Sequence, residues 1–504
     1  MAVLVVSIDG AVAERTRRSG LTDRLTKLGL TITRPITRIR SVFPSSTAPA
    51  HQSIVTGLDP LQHGITGNFM PPQRCSDGAQ TATWRHYDPT QWLGPYLRHP
   101  ALPSLASTLD ACNVRWSSVH FPGLVDPQSS NSNATHDLLL YGPDLAFAAN
   151  VAGASPTGQL FAREFSILAG NCASPSLRSG DAIIAPISAD NPGPLTWYAH
   201  DGFHIGGVWK TLPKSSKATH VLTSPMMAVG SLSNASVLPS DPRRASCTGA
   251  NASAYLPDND TPGLQWLLEH CLRVVEQERP EVLFARFNHT DHVQELLEWA
   301  TKLEPDQSRR ADATNTVHNT YSAVAEAVGT LASAINDLTD VIVISDHGIT
   351  PATEQLTHEW ICSRISPGNS WELVSCDSSL IRVRMEPPQE LCYPAIRSLA
   401  RYGIDVRLET PSNPMSRRTY SDPILSIHGA APVEFVVGDG PPRSVKIGAH
   451  GYQPTLTDMD AVFAHFARPP LERLLTLAPD CVRGIKSHIE NTLSARTLIQ
   501  KDPQ

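Results

Sequence analysis

The sequence predicts an α/β protein with a mostly parallel central sheet, flanked by helices and interrupted by an inserted cap. Val3 to Ile8 is a continuous apolar run of strand length, typical of a strand covered on both faces. Two segments with helical apolar spacing, 262–278 and 313–338, lead into the strand-like runs 281–288 and 341–345. Helix followed by strand, twice, is the pattern of a parallel α/β sheet.

The first seventy residues supply two further elements. Asp9 follows the first apolar run directly, so it lies at the carboxyl end of that strand, and Ile36 to Phe43 is predicted to be extended. Pro49 to Thr56 is predicted to form a short helix with Pro49 in its first turn and Gly57 at its end. Thr47 is then expected just before this helix.

The segment between these elements and the later helices differs in composition. It is rich in Ser, Pro, Gly and Asn, with short possible strands at 181–186 and 220–223, and we interpret it as an inserted cap that determines substrate specificity. The predicted boundaries are 1–70 and 259–504 for the catalytic core, 71–258 for the cap, and about 350–446 for a smaller insertion within the core.

Composition and charge exclude several classes of protein. Hydrophobic residues make up 41% and charged residues 18% of the 504 residues, which excludes a disordered or fibrous chain. A net charge of -7 without a basic run argues against a polymeric nucleic acid as partner. No apolar stretch approaches membrane-spanning length, and the start lacks a basic leader, so we expect a cytoplasmic protein without a membrane partner. Nine cysteines without a C-x-x-C pair favour reduced thiols, and the sequence does not define the oligomeric state.

Three of the predicted strands end in acidic residues. These are Asp9, Asp291 in Asn288-His-Thr-Asp, and Asp346 in Ser345-Asp-His347-Gly. Ligands collect at the carboxyl ends of strands in open α/β sheets, so the three segments can converge there. Carboxylates and imidazoles suit first-row divalent ions, and two such ions can clamp the attacking and leaving oxygens of a phosphoryl displacement.

The nucleophile segment makes the sequence recognisable. Phe43-Pro-Ser-Ser-Thr47-Ala-Pro-Ala-His51 and the following Val55 to Ile65 resemble the type I phosphodiesterase and nucleotide pyrophosphatase family of the alkaline phosphatase superfamily. Ser345 to Ile349 and Gly448 to Tyr452 are similar to two further motifs of that family, in its order. His63 to Asn68 and Thr290 to Gln294 also resemble the phosphonoacetate hydrolases, a sister family. The resemblance implies an alkaline phosphatase-like core and a hydrolase.

The resemblance also implies roles for individual residues. It assigns one metal ion to Asp9, Thr47, Asp346 and His347, and a second ion to Asp291, residue 295 and His450. Thr47 is then the nucleophile, activated by coordination to a divalent cation, for which Zn²⁺ is the first choice. Asn68 matches the position of a side-chain amide that stabilises charge on a nonbridging oxygen.

Residue 295 departs from the family pattern, which places a His there. Here Asp291-His-Val-Gln is followed by Glu295, which shares a helical face with Asp291 and can supply an oxygen to the same ion. Oxygen in place of nitrogen makes Mn²⁺ or Mg²⁺ possible at this site without excluding Zn²⁺. The alternative is that His289 or His292 supplies the nitrogen and Glu295 has another role.

Three nearby residues receive other interpretations. We expect structural roles for His51 and His63 within the nucleophile motif. Arg286 stands where nucleotide-cleaving relatives often carry a stacking aromatic residue. Its guanidinium is expected either to be solvated or to bind an anionic substrate group.

The predicted activity is metal-dependent hydrolysis of a phosphodiester or phosphoanhydride bond in a small-molecule substrate, through a phosphorylated Thr47. One alternative is a phosphonate hydrolase that cleaves a carbon–phosphorus bond, and a second is a metal-binding homologue without catalysis. A sulfatase is disfavoured, because it would need Cys or Ser as nucleophile and Arg four residues later, where this chain has Thr47 and His51.

Overall fold

The computed structural model describes residues 1–70, 95–96, 98, 102–124, 133–141, 146–150, 185–186, 195–198, 264–367, 371–385, 392–409, 424–436, 440–469 and 478–496. The described helices are α1 (Ala13–Arg18), α2 (Leu21–Lys27), α3 (Thr47–Thr56), α4 (Pro60–His63), α5 (Leu105–Ala111), α6 (Leu264–Glu278), α7 (His289–Leu303), α8 (Gln307–Ala334), α9 (His358–Ile365), α10 (Tyr393–Leu399) and α11 (Gly484–Ala495). Short 3₁₀ turns occupy Ala400–Tyr402 and Thr457–Met459.

The described strands fall into one large sheet and two small ones. The strands are β1 (Ala2–Ile8), β2 (Thr31–Ile39), β3 (Trp116–Val119), β4 (Ala134–Tyr141), β5 (Ala146–Asn150), β6 (Ala185–Pro186), β7 (Leu195–Tyr198), β8 (Val282–Phe287), β9 (Leu338–Ile344), β10 (Thr350–Thr357), β11 (Trp371–Asp377), β12 (Leu380–Met385), β13 (Asp405–Glu409), β14 (Ile424–His428), β15 (Val433–Val436), β16 (Arg443–Ala449) and β17 (Ala461–Ala467).

The large sheet has ten strands in the order β2-β17-β9-β1-β8-β3-β4-β5-β7-β6. Its centre is parallel, since β1 pairs in parallel with β8 and β9, and β3 pairs in parallel with β8 and β4. Antiparallel strands complete both edges. The predicted α/β class with a mostly parallel central sheet is therefore confirmed.

Strand β1 explains why this sheet is covered on both faces. Its residues alternate between two apolar clusters: Leu4, Val6 and Ile8 pack with α6, α7 and α8, whereas Val3 and Val5 pack with α3, α5 and α11. Every residue of β1 is buried, as expected for an inner parallel strand.

The predicted helix and strand pairs exist with shifted ends. The strand predicted over Ile36 to Phe43 is β2, which ends at Ile39 because its pairing with β17 stops there. The prediction that Thr47 precedes α3 is wrong by one residue: Ser46 is the extended cap, and Thr47 is the first helical residue. Pro49 does lie in the first turn, and Gly57 ends the helix with φ +76°.

Part of the predicted cap belongs to the central sheet. Strand β3 lies between β8 and β4, and α5 packs its buried Leu105 and Leu109 under the same face as Trp116 of β3. The predicted cap boundaries at 71 and 258 therefore differ from the structure over this stretch. A four-residue strand gives little periodic signal, so only tertiary pairing reveals it. Of the strand predicted at 181–186, the described part is Ala185–Pro186, and 220–223 lies outside the described residues.

The segment 350–446 forms two small sheets beside the carboxyl edge of the large one. One has the order β15-β10-β16 and the other β11-β12-β14-β13, around an apolar cluster of their own. Strand β16 leads the chain back to His450. The described cysteines Cys112, Cys271, Cys362, Cys376, Cys392 and Cys481 form no disulfide. Among the described helices none is both long and apolar enough to cross a membrane, and the cytoplasmic location stays a prediction.

Candidate metal and nucleophile site

The acidic residues that follow three neighbouring strands meet at one edge of the large sheet. Asp9 follows β1, Asp346 follows β9, and Asp291 lies in the first turn of α7, just after β8. Gly10 makes this convergence possible. It has φ +59°, and a Cβ there would lie 2.5 Å from Asp291 Oδ1, so only glycine fits between the two loops.

The first Asp/His group consists of Asp9, Asp346 and His347, all fully buried. His347 Nε2 lies 3.3 Å from Asp346 Oδ2, 3.7 Å from Asp9 Oδ1 and 3.3 Å from the Thr47 hydroxyl. The other ring nitrogen, Nδ1, donates to the Gly348 carbonyl at 3.1 Å, so the Nε2 lone pair faces the site. The four residues assigned to one ion by the sequence are thus brought together.

The second group consists of Asp291, His347 and His450. The rings of His347 and His450 stack with centroids 4.2 Å apart. His347 therefore lies between both groups, although the sequence assigned it to one alone. Glu295 Oε1 is 3.4 Å from His450 Nε2, which places this carboxylate beside the second group.

His289 and His292, the alternative nitrogen donors, belong to neither group within the described chain. His292 Nδ1 is 3.4 Å from Glu295 Oε2, and its Nε2 lies 3.1 Å from the side-chain amide of Asn288. His292 and His450 thus contact different carboxylate oxygens of Glu295. This arrangement favours Glu295 over His292 as the residue nearest the second group.

The donor atoms fit divalent ions by chemistry and by spacing. Two ligand atoms bound tetrahedrally at 2.0–2.1 Å are about 3.3 Å apart. The separations from His347 Nε2 to Thr47 Oγ1 and Asp346 Oδ2 are 3.3 Å, and that from His450 Nε2 to Glu295 Oε1 is 3.4 Å. Asp9 Oδ1 and Asp291 Oδ1 are buried without a hydrogen-bond partner in the described part of the chain, as expected of atoms that bind a cation.

Burial among other acidic groups raises the pKa values of Asp9 and Asp291. Burial raises the pKa of Asp9 well above its ordinary value, and Asp346 and Asp291 add to this, while Arg286 opposes it. Burial, with Glu295 close by, raises the pKa of Asp291 to about 7. Burial lowers the pKa of His347 to about 3, so this imidazole stays neutral and able to bind through Nε2. A bound cation would compensate the crowded negative charge.

The Thr47 hydroxyl lies at the positive end of a helix. Its residue is the first of α3, and it is 1% exposed. Asn68 lies beside it and accepts a hydrogen bond from Ala48 N–H through Oδ1 at 2.9 Å. That contact fixes the orientation of the Asn68 amide, since only the oxygen can face an N–H. The NH₂ group of Asn68 is thereby the end of the amide that faces away from Ala48 N–H.

Two residues that support the site were not assigned to it from the sequence. His51, for which a structural role was expected, donates from Nδ1 to the Thr47 carbonyl at 2.9 Å, and the same nitrogen is 3.3 Å from Asp346 Oδ2. Asp377, at the end of β11, accepts the Asn68 backbone N–H at 2.9 Å. It carried no signal in the sequence, because its role depends on a contact across 309 positions. His63 bonds Ser53 at 3.0 Å, in keeping with a structural role.

The expectation that Arg286 is solvated is wrong, whereas its binding of an anionic substrate group stays a prediction. Arg286 is 2% exposed. Its Nη2 donates to Asp9 Oδ2, and its Nη1 is 3.2 Å from His120 Nε2. In the parallel pairing of β1 and β8, Arg286 lies opposite Ser7, two residues before Asp9.

Together the fold and the clustered residues define an α/β protein with acidic and imidazole groups that could bind metal. Residues 3–391 match the family model "Type I phosphodiesterase / nucleotide pyrophosphatase". The chain therefore belongs to this family of hydrolases. The match includes Asp9, Thr47, Asp291 and Asp346, and it ends before His450.

The chain is also similar to several solved structures at low sequence identity. Murine ectonucleotide pyrophosphatase / phosphodiesterase 5 is 13% identical with a TM-score of 0.50, covering 100% of this chain and 97% of its own. An inactive form of that protein in complex with AMP has 13% identity, a TM-score of 0.49 and coverages of 100% and 96%. Phosphonoacetate hydrolase from Sinorhizobium meliloti, in complex with phosphonoformate, has 13% identity, a TM-score of 0.48 and coverages of 98% and 96%. No curated protein matches the sequence significantly.

Proposed function

We propose that this protein hydrolyses phosphodiester or phosphoanhydride bonds of a small-molecule substrate, with Thr47 as the nucleophile. The observation that carries the proposal is the position of the Thr47 hydroxyl. It lies 3.3 Å from His347 Nε2, the atom where the two Asp/His groups meet, and at the start of α3. Backbone N–H groups at a helix start favour a phosphate anion.

The proposed residues for two divalent ions are Asp9, Thr47, Asp346 and His347 for one, and Asp291, Glu295 and His450 for the other. The ligand separations of 3.3–3.4 Å support Zn²⁺, while the oxygen of Glu295 leaves Mn²⁺ or Mg²⁺ as candidates at the second site. When bound, such ions lower the pKa of a coordinated hydroxyl and draw charge from phosphoryl oxygens.

The protein's own groups then perform a two-step displacement. Thr47 Oγ gives up its proton and forms a bond to phosphorus, the bond to the leaving group breaks, and the leaving group takes up a proton from solvent. The intermediate is a diester that joins Thr47 Oγ through phosphorus to the retained part of the substrate. Water hydrolyses this ester, which releases a phosphomonoester and restores the hydroxyl. The Asn68 amide donates to a nonbridging oxygen as its charge increases. His51 holds the Thr47 carbonyl and Asp346 in position throughout.

A diester is the proposed substrate class because the nucleophile motif contains no Arg to clamp a dianionic phosphate. Proteins of similar structure bind AMP and phosphonoformate, both small phosphorus compounds. Phosphonate cleavage is the second candidate, based on the motifs at His63 to Asn68 and Thr290 to Gln294. We further propose that the region around 71–258 selects the leaving group.

Thr47→Ala tests the proposal, with Thr56→Ala as a matched control in the same helix. Thr56 is also buried, but its hydroxyl donates to the Gln52 carbonyl at 2.6 Å and faces away from the cluster. We expect Thr47→Ala to abolish turnover and Thr56→Ala to keep it, with both proteins folded by circular dichroism. Turnover of Thr47→Ala within tenfold of that of the parent would contradict the assignment of Thr47 as the nucleophile.

A substrate panel of aryl phosphodiesters, dinucleotides, monoesters and phosphonates distinguishes the candidate activities. We expect the highest kcat/KM for a diester or pyrophosphate, and mass spectrometry of quenched reactions should find on Thr47 a phosphoryl group that still carries the retained part of the substrate. A preference for phosphonates would establish the second candidate. Two bound ions without any turnover would indicate a homologue that has lost catalysis.

A further inference from the structure

Arg286 brings a permanent positive charge into the metal cluster. It lies in β8, buried, with one guanidinium nitrogen on Asp9 Oδ2 and another 3.2 Å from His120 Nε2. An arginine side chain stays protonated in proteins, so Arg286 cannot lose this charge by deprotonation. None of the catalytic roles proposed above uses it.

The contact engages one oxygen of the Asp9 carboxylate and leaves the other without a hydrogen bond among the described residues. Oδ2 is held by Arg286, whereas Oδ1 lies 3.7 Å from His347 Nε2 and has no hydrogen-bond partner in the described chain. Asp9 is thus paired even without a metal ion, yet it still offers one oxygen to the cluster. Asp291 Oδ1, by contrast, has neither a hydrogen-bond partner among the described residues nor an arginine beside it.

We propose that Arg286 is a built-in counter-cation for Asp9, which weakens divalent metal binding at the Asp9, Asp346 and His347 group and stabilises the metal-free protein. The inference rests on the proposed two-metal function. Its physical basis is Coulombic: a guanidinium that shares a carboxylate with a divalent ion repels that ion across a few ångströms of buried protein. The same guanidinium compensates an aspartate that would otherwise be buried alone.

The experiment uses two substitutions that separate charge from hydrogen bonding. Arg286→Gln removes the charge and keeps an N–H donor for Asp9, while Arg286→Met removes both. Arg496→Met is the matched control. Arg496, just after α11, also forms a buried ion pair with an aspartate, Asp340 of β9, at 2.7 Å, and both lie outside the two Asp/His groups.

Two measurements are made on each full-length protein. Zn²⁺ affinity is measured by competition with a chromophoric chelator, and the melting temperature is measured with a chelator alone and with Zn²⁺. For Arg286→Gln we expect the tighter-binding ion to be held about tenfold more strongly or better, because the repulsion is gone. The melting temperature without metal should fall, and the rise on adding Zn²⁺ should exceed that of the parent. Arg496→Met should lower the melting temperature without changing Zn²⁺ affinity.

Unchanged or weaker Zn²⁺ affinity in Arg286→Gln would overturn the inference and make Arg286 an orienting donor for Asp9. If Arg286→Met does not fold, Arg286→Gln decides alone. If Arg286→Gln does not fold without metal, refolding it in buffered Zn²⁺ gives the same affinity comparison. Failure of the unmodified protein to bind Zn²⁺ would instead contradict the proposed function itself, so the two failures are distinguishable.

Discussion

Substituting Glu295 by Ala should remove the second metal ion and leave the first. Glu295 Oε1 is 3.4 Å from His450 Nε2, within about 0.1 Å of the spacing of two ligands on one tetrahedral ion. Loss of a residue that only supports a ligand typically costs about 10–100-fold in metal affinity, so loss of a ligand should cost about 100-fold or more. The side chain is 38% exposed, so water can fill the vacated position and the remaining ligands need not move.

The assay is elemental analysis after gel filtration at micromolar protein, combined with chelator competition. We expect metal content to fall from about two ions per chain toward one, and turnover to fall with it. Glu295→His should keep both ions and shift preference from Mn²⁺ or Mg²⁺ toward Zn²⁺. Glu326→Ala, which removes an exposed glutamate of α8 with an ion pair to Arg24, is the control and should keep both ions. Two tightly held ions and unchanged activity in Glu295→Ala would show that Glu295 is not a ligand of the second ion. His289 and His292 would then be the residues to substitute next.

Three further predictions concern residues around this centre. Asn68→Ala should lower kcat by a factor of about 10²–10³ with the fold intact. Asn68→Asp keeps the acceptor for Ala48 N–H but loses the NH₂ donor, so its kcat should be low as well. A near-normal kcat in either variant would exclude the amide as a donor. Asp377→Ala should lower kcat because Asn68 loses the acceptor of its backbone N–H, whereas Asp377→Asn keeps an acceptor and should retain more activity. Steady-state kinetics measures both variants, and a higher kcat for Asp377→Ala than for Asp377→Asn would contradict this prediction. Burial raises the pKa of Glu434 to about 7, so its stabilising contribution is present below pH 4.5 and lost as pH rises through 7. Glu434→Gln should therefore raise the free energy of unfolding by about 1–3 kcal/mol at pH 8 and by little at pH 4.5. Equal shifts of the urea midpoint at both pH values would contradict this.

Local sequence determined the elements that carry the chemistry. The apolar run before Asp9, the helix preceding β8 and the Gly57 stop after α3 are short-range signals, because strand length, helical spacing and glycine conformation depend on neighbouring residues. Residues that follow parallel strands lie at the same edge of the sheet, and this rule was enough to predict that Asp9, Asp291 and Asp346 lie close together.

Tertiary structure alone decided how these groups share the site. His347 belongs to both Asp/His groups, Arg286 is buried against Asp9, and Asp377 reaches Asn68 from a separate small sheet. Each of these facts depends on packing between segments tens to hundreds of residues apart, which no local pattern encodes. An arginine at a strand end looks the same in sequence whether it faces water or a buried carboxylate. Burial, which sets the strength of every charge in this centre, emerges only when the sheet and its covering loops close around it.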